Sequence, residues 1–403
     1  MVKTIEIAST VDTLTTANTT QYWQPQGSLS VSATEADQQI IFRTPGVISN
    51  IFVTLFANTV AATSTWRLRK NTADGNGVIS VTSSGTGNFE DVTNIDTIAA
   101  GDLVAISSAP GAATGVMTAD TLGHHFSSTS ATDTTCTRLA CSKPLSISVT
   151  AATRYHTIAG ELTDTSTESN AKNRMRKAGT LKNMAVKVKT NTRSTASTFR
   201  TRKNAANGAL TVTVASSGTG VFEDTANNDT VSADEDWNYQ EVLGTGATAF
   251  LLQYIAVDFV STAGIGMLIC TWNTGISYGS NSTGFEAVGG RLADNGNDTG
   301  QLMKARAPFQ FSELTCNILT NTITASTTCK LQKNQADATQ VVTIGASSTG
   351  VFSDSTHVDT VAPGDNLSYK TVRGATGTSM GIQQIAMWST VLLSQTVYVE
   401  WEE

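Results

Sequence analysis

The sequence predicts an all-β protein built from three tandem antiparallel β-sandwiches. Three observations support this fold class: an internal repeat of about 130 residues, apolar residues that alternate with polar ones, and turn residues at fixed places in every copy. The pair Lys70-Asn71 recurs as Lys203-Asn204 and as Lys333-Asn334, at spacings of 133 (203 − 70) and 130 (333 − 203) residues. This period is the size of a whole domain, so we expect each copy to fold around its own core.

The strands of each copy follow from the alternation. In the first copy Ile51, Val53 and Leu55 fall on one face, which is typical of a half-buried strand. In the next strand Trp66 and Leu68 alternate with arginines, so its other face is basic. The later copies repeat both patterns. Many short strands with almost no helical periodicity predict jelly-roll-like sandwiches, in which the second sheet pairs strands that are distant in sequence.

Four sets of residues recur at equivalent places, and we interpret them as structural. The core is expected to contain Phe89, Phe222 and Phe352. A positive φ is expected at Gly87, Gly220 and Gly350. The Lys-Asn turn contains Asn71, Asn204 and Asn334. A later turn places Gly101, Asp234 and Gly364 at one position, and Asp is among the few residues that tolerate the left-handed region.

Composition and charge argue against several classes of protein. The net charge of −7 disfavours a nucleic-acid partner, which would require a basic surface. The apolar fraction of 39% is too high for a disordered chain. The N-terminus lacks the apolar segment of a Sec signal peptide, and no apolar run has the length of a membrane span. We therefore expect no membrane partner and synthesis in the host cytoplasm.

Candidate metal and disulfide sites are weak. His124 and His125 occupy positions that other copies fill with unrelated residues, so a metal-ligand role is not expected. The five cysteines are irregularly spaced and are expected to be reduced, although Cys316 and Cys329 fall in neighbouring predicted strands. Calcium candidates recur at fixed spacing as Asp91, Asp96, Asp224, Asp229, Asp354 and Asp359. The alternative is that these side chains hold their own backbone.

The sequence offers little support for an enzyme. The SSGTG segments lack the lysine and the following helix of a phosphate-binding loop. Their serines lack the context of a catalytic nucleophile, and besides the His124-His125 pair the chain contains only His156 and His357. A glycosidase needs only two carboxylates, but no aromatic-rich cleft pattern accompanies them. We expect no catalytic residues and no cofactor.

The pattern RKN…VTVASSGTGVFEDTANNDTV…GD…Y resembles β-sandwich units of structural proteins in tailed bacteriophage virions. Those units are similar to the trimer-forming jelly rolls of the complement and tumour-necrosis-factor type. The resemblance covers all three copies, and it implies contacts with other virion proteins of the capsid or tail. The copies depart from one another at Asp234 and after Asp102, which suggests that the three faces are not used equivalently.

Three functions are considered. The first is a non-enzymatic virion component, either a capsid decoration or a head-fibre protein on the outside of a phage particle. The second is a tail-associated adhesin that binds a receptor or a host surface glycan, with Tyr22, Trp23 and Trp272 as candidate contacts. The third is an enzyme that acts on a surface polysaccharide. The first is favoured by the tandem sandwiches and by the lack of an active-site pattern.

The domain organisation is predicted from the places where apolar alternation lapses. We expect an N-terminal arm over residues 1–21 and sandwiches over residues 22–150, 151–283 and 284–403. The three sandwiches could stack in a line or close into a single-chain pseudo-trimer. Phe52, Thr54 and Phe56 on the outward face of one strand become Ala185, Lys187 and Lys189 in the second copy. Such unlike faces favour the closed arrangement.

Overall fold

The structure is a computed structural model of the whole chain. It describes residues 3–15, 19–28, 30–149, 151–262, 266–291, 296, 302–305 and 307–391. Within them the prediction of three antiparallel jelly-roll-like sandwiches is confirmed, because the strands form six sheets in three matching pairs. Each pair of sheets with its core is called a unit below.

The first unit contains eleven strands: β1 (Lys3–Thr15), β2 (Gln21–Trp23), β3 (Gly27–Ser28), β4 (Val31–Ser32), β5 (Ile40–Ile41), β6 (Gly46–Asn58), β7 (Ser64–Lys70), β8 (Ala73–Val81), β9 (Gly87–Ile98), β10 (Leu103–Ala109) and β11 (Val116–Ser128). Helix α1 (Glu35–Gln38) is one turn long. The inner sheet has the order β3-β1-β11-β6-β9, and the outer sheet has the order β4-β2-β10-β7-β8 with β5 beside β10. Because β10 pairs with β2 and β7, the outer sheet joins strands that are distant in sequence.

The second unit repeats this arrangement with β12 (Cys136–Ile147), β13 (Thr153–His156), β14 (Gly160–Glu161), β15 (Asn173–Met175), β16 (Gly179–Arg193), β17 (Ser197–Lys203), β18 (Ala206–Val214), β19 (Gly220–Val231), β20 (Glu235–Val242) and β21 (Gly246–Ser261). A 3-10 turn (Glu168–Ala171) replaces α1. The inner sheet has the order β14-β12-β21-β16-β19, and the outer sheet has the order β13-β20-β17-β18.

The third unit follows the same plan with β22 (Gly266–Gly279), β23 (Thr283–Glu286), β24 (Gly290–Arg291), β25 (Met303–Lys304), β26 (Phe309–Asn321), β27 (Thr327–Lys333), β28 (Ala336–Ile344), β29 (Gly350–Val361), β30 (Asn366–Val372) and β31 (Ser379–Val391). Its inner sheet has the order β24-β22-β31-β26-β29, and its outer sheet has the order β23-β30-β27-β28. None of the helices among the described residues has the length and apolar character of a membrane span.

The sheets do not follow the domain boundaries expected from the sequence. Strand β1, placed in an N-terminal arm, pairs with β11 in the first unit. Strands β12 and β22, placed at the ends of the first and second sandwiches, pair with β21 and β31 and so begin the next unit. The residues that define the repeat in the sequence lie after this strand in each unit, so they could not assign it.

The cores confirm the predicted strand facing. Ile51, Val53 and Leu55 are fully buried in the first unit, as are Trp66 and Leu68 from the opposite sheet. The same positions are buried in the second unit (Met184, Val186, Val188 and Phe199) and in the third (Leu314, Cys316, Ile318 and Leu331). Each unit therefore buries its own apolar cluster between its two sheets.

Candidate functional site: the contacts between the three units

The first unit packs on the outward face of the second unit's inner sheet. Ile40 and Ile41 bury themselves against Ala185, Tyr254 and Ala256. The backbone N–H of Ile41 donates to the Tyr254 hydroxyl at 3.3 Å. This small apolar cluster is surrounded by polar contacts, as in a protein–protein interface.

Charged groups surround this first contact. Arg43 Nε donates to Glu223 Oε1 at 2.6 Å, and Lys189 Nζ lies 2.6 Å from Asp37 Oδ2. Lys187, which is almost fully buried, donates to the backbone oxygen of Gln39 at 3.1 Å. Burial lowers the pKa of Lys187 to about 8. Lys187 and Lys189, which the sequence comparison singled out as unlike the first copy, therefore both contact the neighbouring unit.

The second unit packs on the third in the same sense. Arg176, which is equivalent to Arg43 (176 − 43 = 133), lies 3.2 Å from Glu313 Oε2. Gln383 Nε2 donates to the backbone oxygen of Asn170 at 2.5 Å. Trp388 of the third unit belongs to the second unit's apolar cluster, and its ring centroid lies 5.8 Å from that of Phe259.

The third unit contacts the first, so the contacts form a closed cycle. Thr54 and Thr121 of the first unit both donate to the backbone oxygen of Leu302, at 3.2 and 3.4 Å. The rings of His125 and Phe309 meet edge to face with centroids 5.8 Å apart. Phe52 is 1% exposed and belongs to the third unit's apolar cluster, although its own strand lies in the first unit.

Three glycines meet where the units converge. Gly27, Gly160 and Gly290 all have positive φ (87°, 95° and 88°). A Cβ on Gly27 would lie 2.9 Å from the Gly160 carbonyl oxygen, and one on Gly160 would lie 2.8 Å from the Gly290 carbonyl oxygen. The short strands that contain them, β3, β14 and β24, contact one another. Only glycine satisfies both the backbone conformation and the close approach.

Polar contacts beside these glycines join each unit to the next. Ser142 Oγ donates to the backbone oxygen of Gln26 at 2.5 Å, and the equivalent Thr271 donates to Ala159. Glu161 is almost fully buried and lies 2.7 Å from Arg291 Nε of the third unit. This ion pair marks the junction between the second and third units, and a charge pair at a junction helps to specify which unit lies beside which.

The six recurring aspartates bond to backbone N–H groups, which is the alternative to a calcium site that the sequence analysis offered. Asp91 accepts hydrogen bonds from the N–H groups of Val78, Thr93 and Asn94 at 2.8–3.0 Å. Burial alone would raise the pKa of Asp91, but these bonds lower it well below its ordinary value. Asp96 accepts hydrogen bonds from the backbone N–H groups of Asn76 and Gly77. The same bonds recur around Asp224, Asp229, Asp354 and Asp359.

This geometry disfavours calcium at these positions. A Ca²⁺ ion requires six to eight oxygen ligands with free lone pairs. The carboxylate oxygens of Asp224 and Asp229 instead accept hydrogen bonds from the backbone N–H groups of Thr211 and Ala209 on β18, in the opposite sheet. Within the described residues, no group of three or more His, Cys, Asp or Glu side chains could hold a metal ion.

The other predicted structural residues divide into two groups. Every predicted turn residue has positive φ: Gly87, Gly220 and Gly350 (93°, 102° and 105°), Asn71, Asn204 and Asn334 (51°, 48° and 53°), and Gly101, Asp234 and Gly364 (99°, 67° and 100°). The phenylalanines need a correction, because Phe89, Phe222 and Phe352 are only half-buried at the margins of the cores. They lie on an edge strand, β9, β19 or β29, where one side of the ring has no neighbouring strand.

The remaining candidate residues have structural positions. Trp23, a candidate glycan contact, is completely buried and donates Nε1–H to Ser108 at 2.8 Å. Tyr22 is half-buried on the outer sheet, and the side chain of Trp272 lies outside the described residues. Cys316 and Cys329 are both free thiols. Their mutual hydrogen bond and their burial raise the pKa of Cys329 well above its ordinary value. The two thiols therefore lie side by side without a disulfide bond.

Sequence reasoning missed Asp120 of β11, whose neighbour Thr121 contacts the third unit. Asp120 is completely buried, and neither carboxylate oxygen has a hydrogen-bond partner in the described part of the chain. Burial raises its pKa to about 7. The equivalent residues Gln253 and Gln383 each donate to the neighbouring unit. The sequence repeat contained this signal, because Asp120 is an acid where the equivalent residues Gln253 and Gln383 are amides.

Comparison with known proteins adds little. The chain matches no protein-family model and no curated protein. It is similar to a solved archaeal-virus protein described by its triple jelly roll fold and turret assembly, with 14% identity and a TM-score of 0.19 over 96% of this chain and 90% of that one. It is also similar to VP2 in the subviral particle of infectious bursal disease virus, with 7% identity and a TM-score of 0.20 over 97% and 81%. Both TM-scores are low, so the fold assignment rests on the strand pairing described above.

Proposed function

We propose that the chain is a non-enzymatic structural protein on the outside of a virus particle, and that its three units close into a single-chain pseudo-trimer. The observation that carries the proposal is the convergence of Gly27, Gly160 and Gly290, each held against the next unit. Fusion of three units in one chain raises their effective concentration for one another, so closure requires no association of separate chains. The sequence resemblance to virion proteins of tailed phages supports a place on a capsid, as a decoration or head-fibre protein.

The contact cycle supports closure over a linear stack. A line of three units would leave the third without contact to the first, whereas Phe52 of the first unit is buried in the third unit's cluster. Small-angle scattering tests this arrangement. A closed chain of this length is expected to have a radius of gyration of about 21 Å. A rod longer than roughly 100 Å, as three sandwiches end to end would give, contradicts closure.

A non-enzymatic role is part of the proposal. His156 Nε2 lies 3.0 Å from Glu241 Oε2, which is the geometry of an acid–base pair, but both side chains are completely buried between the sheets. Burial raises the pKa of Glu241 above its ordinary value. Equivalent positions hold other bonded pairs, Trp23 with Ser108 and Glu286 with Thr371. The pair therefore fills a structural position of the core.

We propose that the units themselves are the domains, with one boundary between Ser128 and Cys136 and the other between Ser261 and Gly266. Limited proteolysis tests this division against the boundaries near Ala151 and residues 278–284. Cleavage near residue 132 should leave fragments that keep β12 with the second unit. Cleavage confined to Ala151, with β12 retained on the first fragment, contradicts the division.

The particle role is tested by adding the purified chain to particles that lack it. Stoichiometric binding to assembled heads, counted by mass or by electron microscopy, is expected. Binding to tails alone would favour the alternative, a receptor- or glycan-binding adhesin. No binding to any particle overturns the proposal. The observation that favours the adhesin is a row of aromatic, polar and basic side chains on the outer sheet of each unit.

A further inference from the structure

Each outer sheet has the same row of side chains on the face that points away from the core of its unit. The row crosses four strands and has an aromatic residue at one end, a polar or basic residue next, then a basic residue, then a small side chain. We call it the outer row; its members are Tyr22, Ser107, Arg67 and Val78 in the first unit, Tyr155, Gln240, Arg200 and Thr211 in the second, and Phe285, Lys370, Lys330 and Val341 in the third.

The outer row of the first unit lines a cleft. The cleft has a volume of about 360 Å³, and its lining includes Tyr22, Arg67 and Ser107. Thr20 and Thr65 add hydroxyl groups at its walls, so the lining combines one aromatic ring with several hydroxyls and charged groups. A lining of this kind suits a ligand that is rich in hydroxyl groups.

Charge at the row differs between units because of one residue. In the first unit Asp74 pairs with both Arg67, at 3.6 Å, and Arg69. In the second unit Asn207 takes the place of Asp74 and bonds only Arg202. Arg200 consequently has no hydrogen bond or ion pair anywhere in the described part of the chain, and its Nε is shielded from solvent.

The free guanidinium lies in the same row as an aromatic ring and an amide. Gln240 Nε2 donates to the Tyr155 hydroxyl at 3.4 Å, so the ring and the amide hold one another in place. Gln240 pairs with Arg200 on the next strand, and strands are about 4.8 Å apart. The three side chains therefore span about 10 Å, the length of one to two sugar rings.

We propose that the outer row of the second unit binds an acidic saccharide, with the sugar ring on Tyr155 and its carboxylate on Arg200. A pyranose ring has an apolar face that packs on an aromatic side chain, and a planar guanidinium binds a carboxylate through two parallel hydrogen bonds. Gln240 is placed to bond the hydroxyls between them. The inference is independent of where on a particle the chain resides.

The outer face is open in the described structure. Contacts between units involve the inner sheets and the segments around α1 and the 3-10 turn, as in the pairs Ile41–Tyr254 and Asn170–Gln383. The net charge of the chain is −7, so an uncompensated cation on this face is a local exception to the charge of the whole chain.

The test compares 3′-sialyllactose with lactose, which lacks only the acidic sugar. In an NMR titration of the full chain we expect millimolar 3′-sialyllactose to shift the backbone amides of Arg200 and Gln240, and lactose to shift them at least tenfold less. Asn207→Asp, which copies the compensated first unit, should weaken binding at least tenfold without a change in melting temperature. Arg200→Gln should do the same.

The reverse substitution is the matched control. Asp74→Asn removes the compensating acid from the first unit, and it should create a second site for 3′-sialyllactose around Arg67. Three results overturn the proposal: equal binding of lactose, equal shifts with inorganic phosphate, or binding that survives both Asn207→Asp and Arg200→Gln. The first would indicate a neutral-sugar site, and the second a site for small anions only.

Discussion

Gly160 and Gly290 lie so close that a Cβ on Gly160 would sit 2.8 Å from the Gly290 carbonyl oxygen. This approach joins the second and third units at the place where all three converge. Gly160 also has a φ of 95°, which a side chain rarely adopts. Two independent constraints therefore act on one residue, one from its own backbone and one from its neighbour.

These constraints can be separated by comparison with Gly220. Gly220 has a φ of 102°, but a Cβ there would meet no atom within 4 Å. Gly220→Ala should cost only backbone strain, on the order of 1–2 kcal/mol. Gly160→Ala should cost about 1–3 kcal/mol more, because the added methyl displaces the next unit. Calorimetric unfolding of both variants measures the difference, and equal losses would show that the units do not approach at Gly160.

Asp120 should make stability depend on pH. Its folded pKa of about 7 lies above the ordinary aspartate value of 3.8. The folded state therefore holds the proton more tightly, and stability should fall as pH rises from about 4 to about 7, then level off. Asp120→Gln gives the first unit the residue present at Gln253 and Gln383, and it should remove this part of the dependence.

Thermal melting at pH 5 and pH 8 measures this effect. The loss in wild type on going to pH 8 is expected to exceed that of Asp120→Gln by roughly 1–3 kcal/mol, the cost of an unsatisfied buried polar group. Since Glu241 also has a raised pKa, only the difference between the two proteins reports on Asp120. Identical pH profiles would show that Asp120 is solvated or paired in solution.

Asp224 should act as a backbone brace without calcium. Asp224→Ala leaves three N–H groups without an acceptor and should lower stability by about 1–3 kcal/mol. Although burial opposes it, hydrogen bonding from Thr211 and Asn227 lowers the pKa of Asp224, so its stabilisation should persist at neutral pH and disappear as pH falls below about 4. A chelator should leave the melting temperature unchanged; a drop of several degrees would indicate a bound ion.

Phe222 and Phe199 should differ as a half-buried and a fully buried residue. Phe199 is completely buried in the second unit's core, so Phe199→Ala should cost about 3–5 kcal/mol. Phe222→Ala should cost roughly half of that, because part of its ring already contacts water. Urea unfolding monitored for the second unit compares them. An equal cost at both positions would place Phe222 within the core after all.

The sequence by itself determined the local structure of each unit. A period of two fixes which residues of β6 face inward, so the alternation alone assigns Ile51, Val53 and Leu55 to the core. Turn positions followed from the few residues that accept positive φ, as at Gly87 and Asn71. These properties depend on neighbours within a few residues along the chain, which is the information that alternation and repeats contain.

Only the tertiary structure decided what lies between the units. Gly27, Gly160 and Gly290 recur in the sequence at spacings of 133 and 130 residues, but their convergence depends on contacts between residues at least 130 positions apart. The assignment of β12 to the second unit likewise depends on its pairing with β21. A buried interface and a solvent-exposed face can have the same alternation of apolar and polar residues. This alternation shows which side of a strand is polar, but it does not show what covers that side. Which unit covers Phe52, and which leaves Arg200 free, was therefore decided by packing.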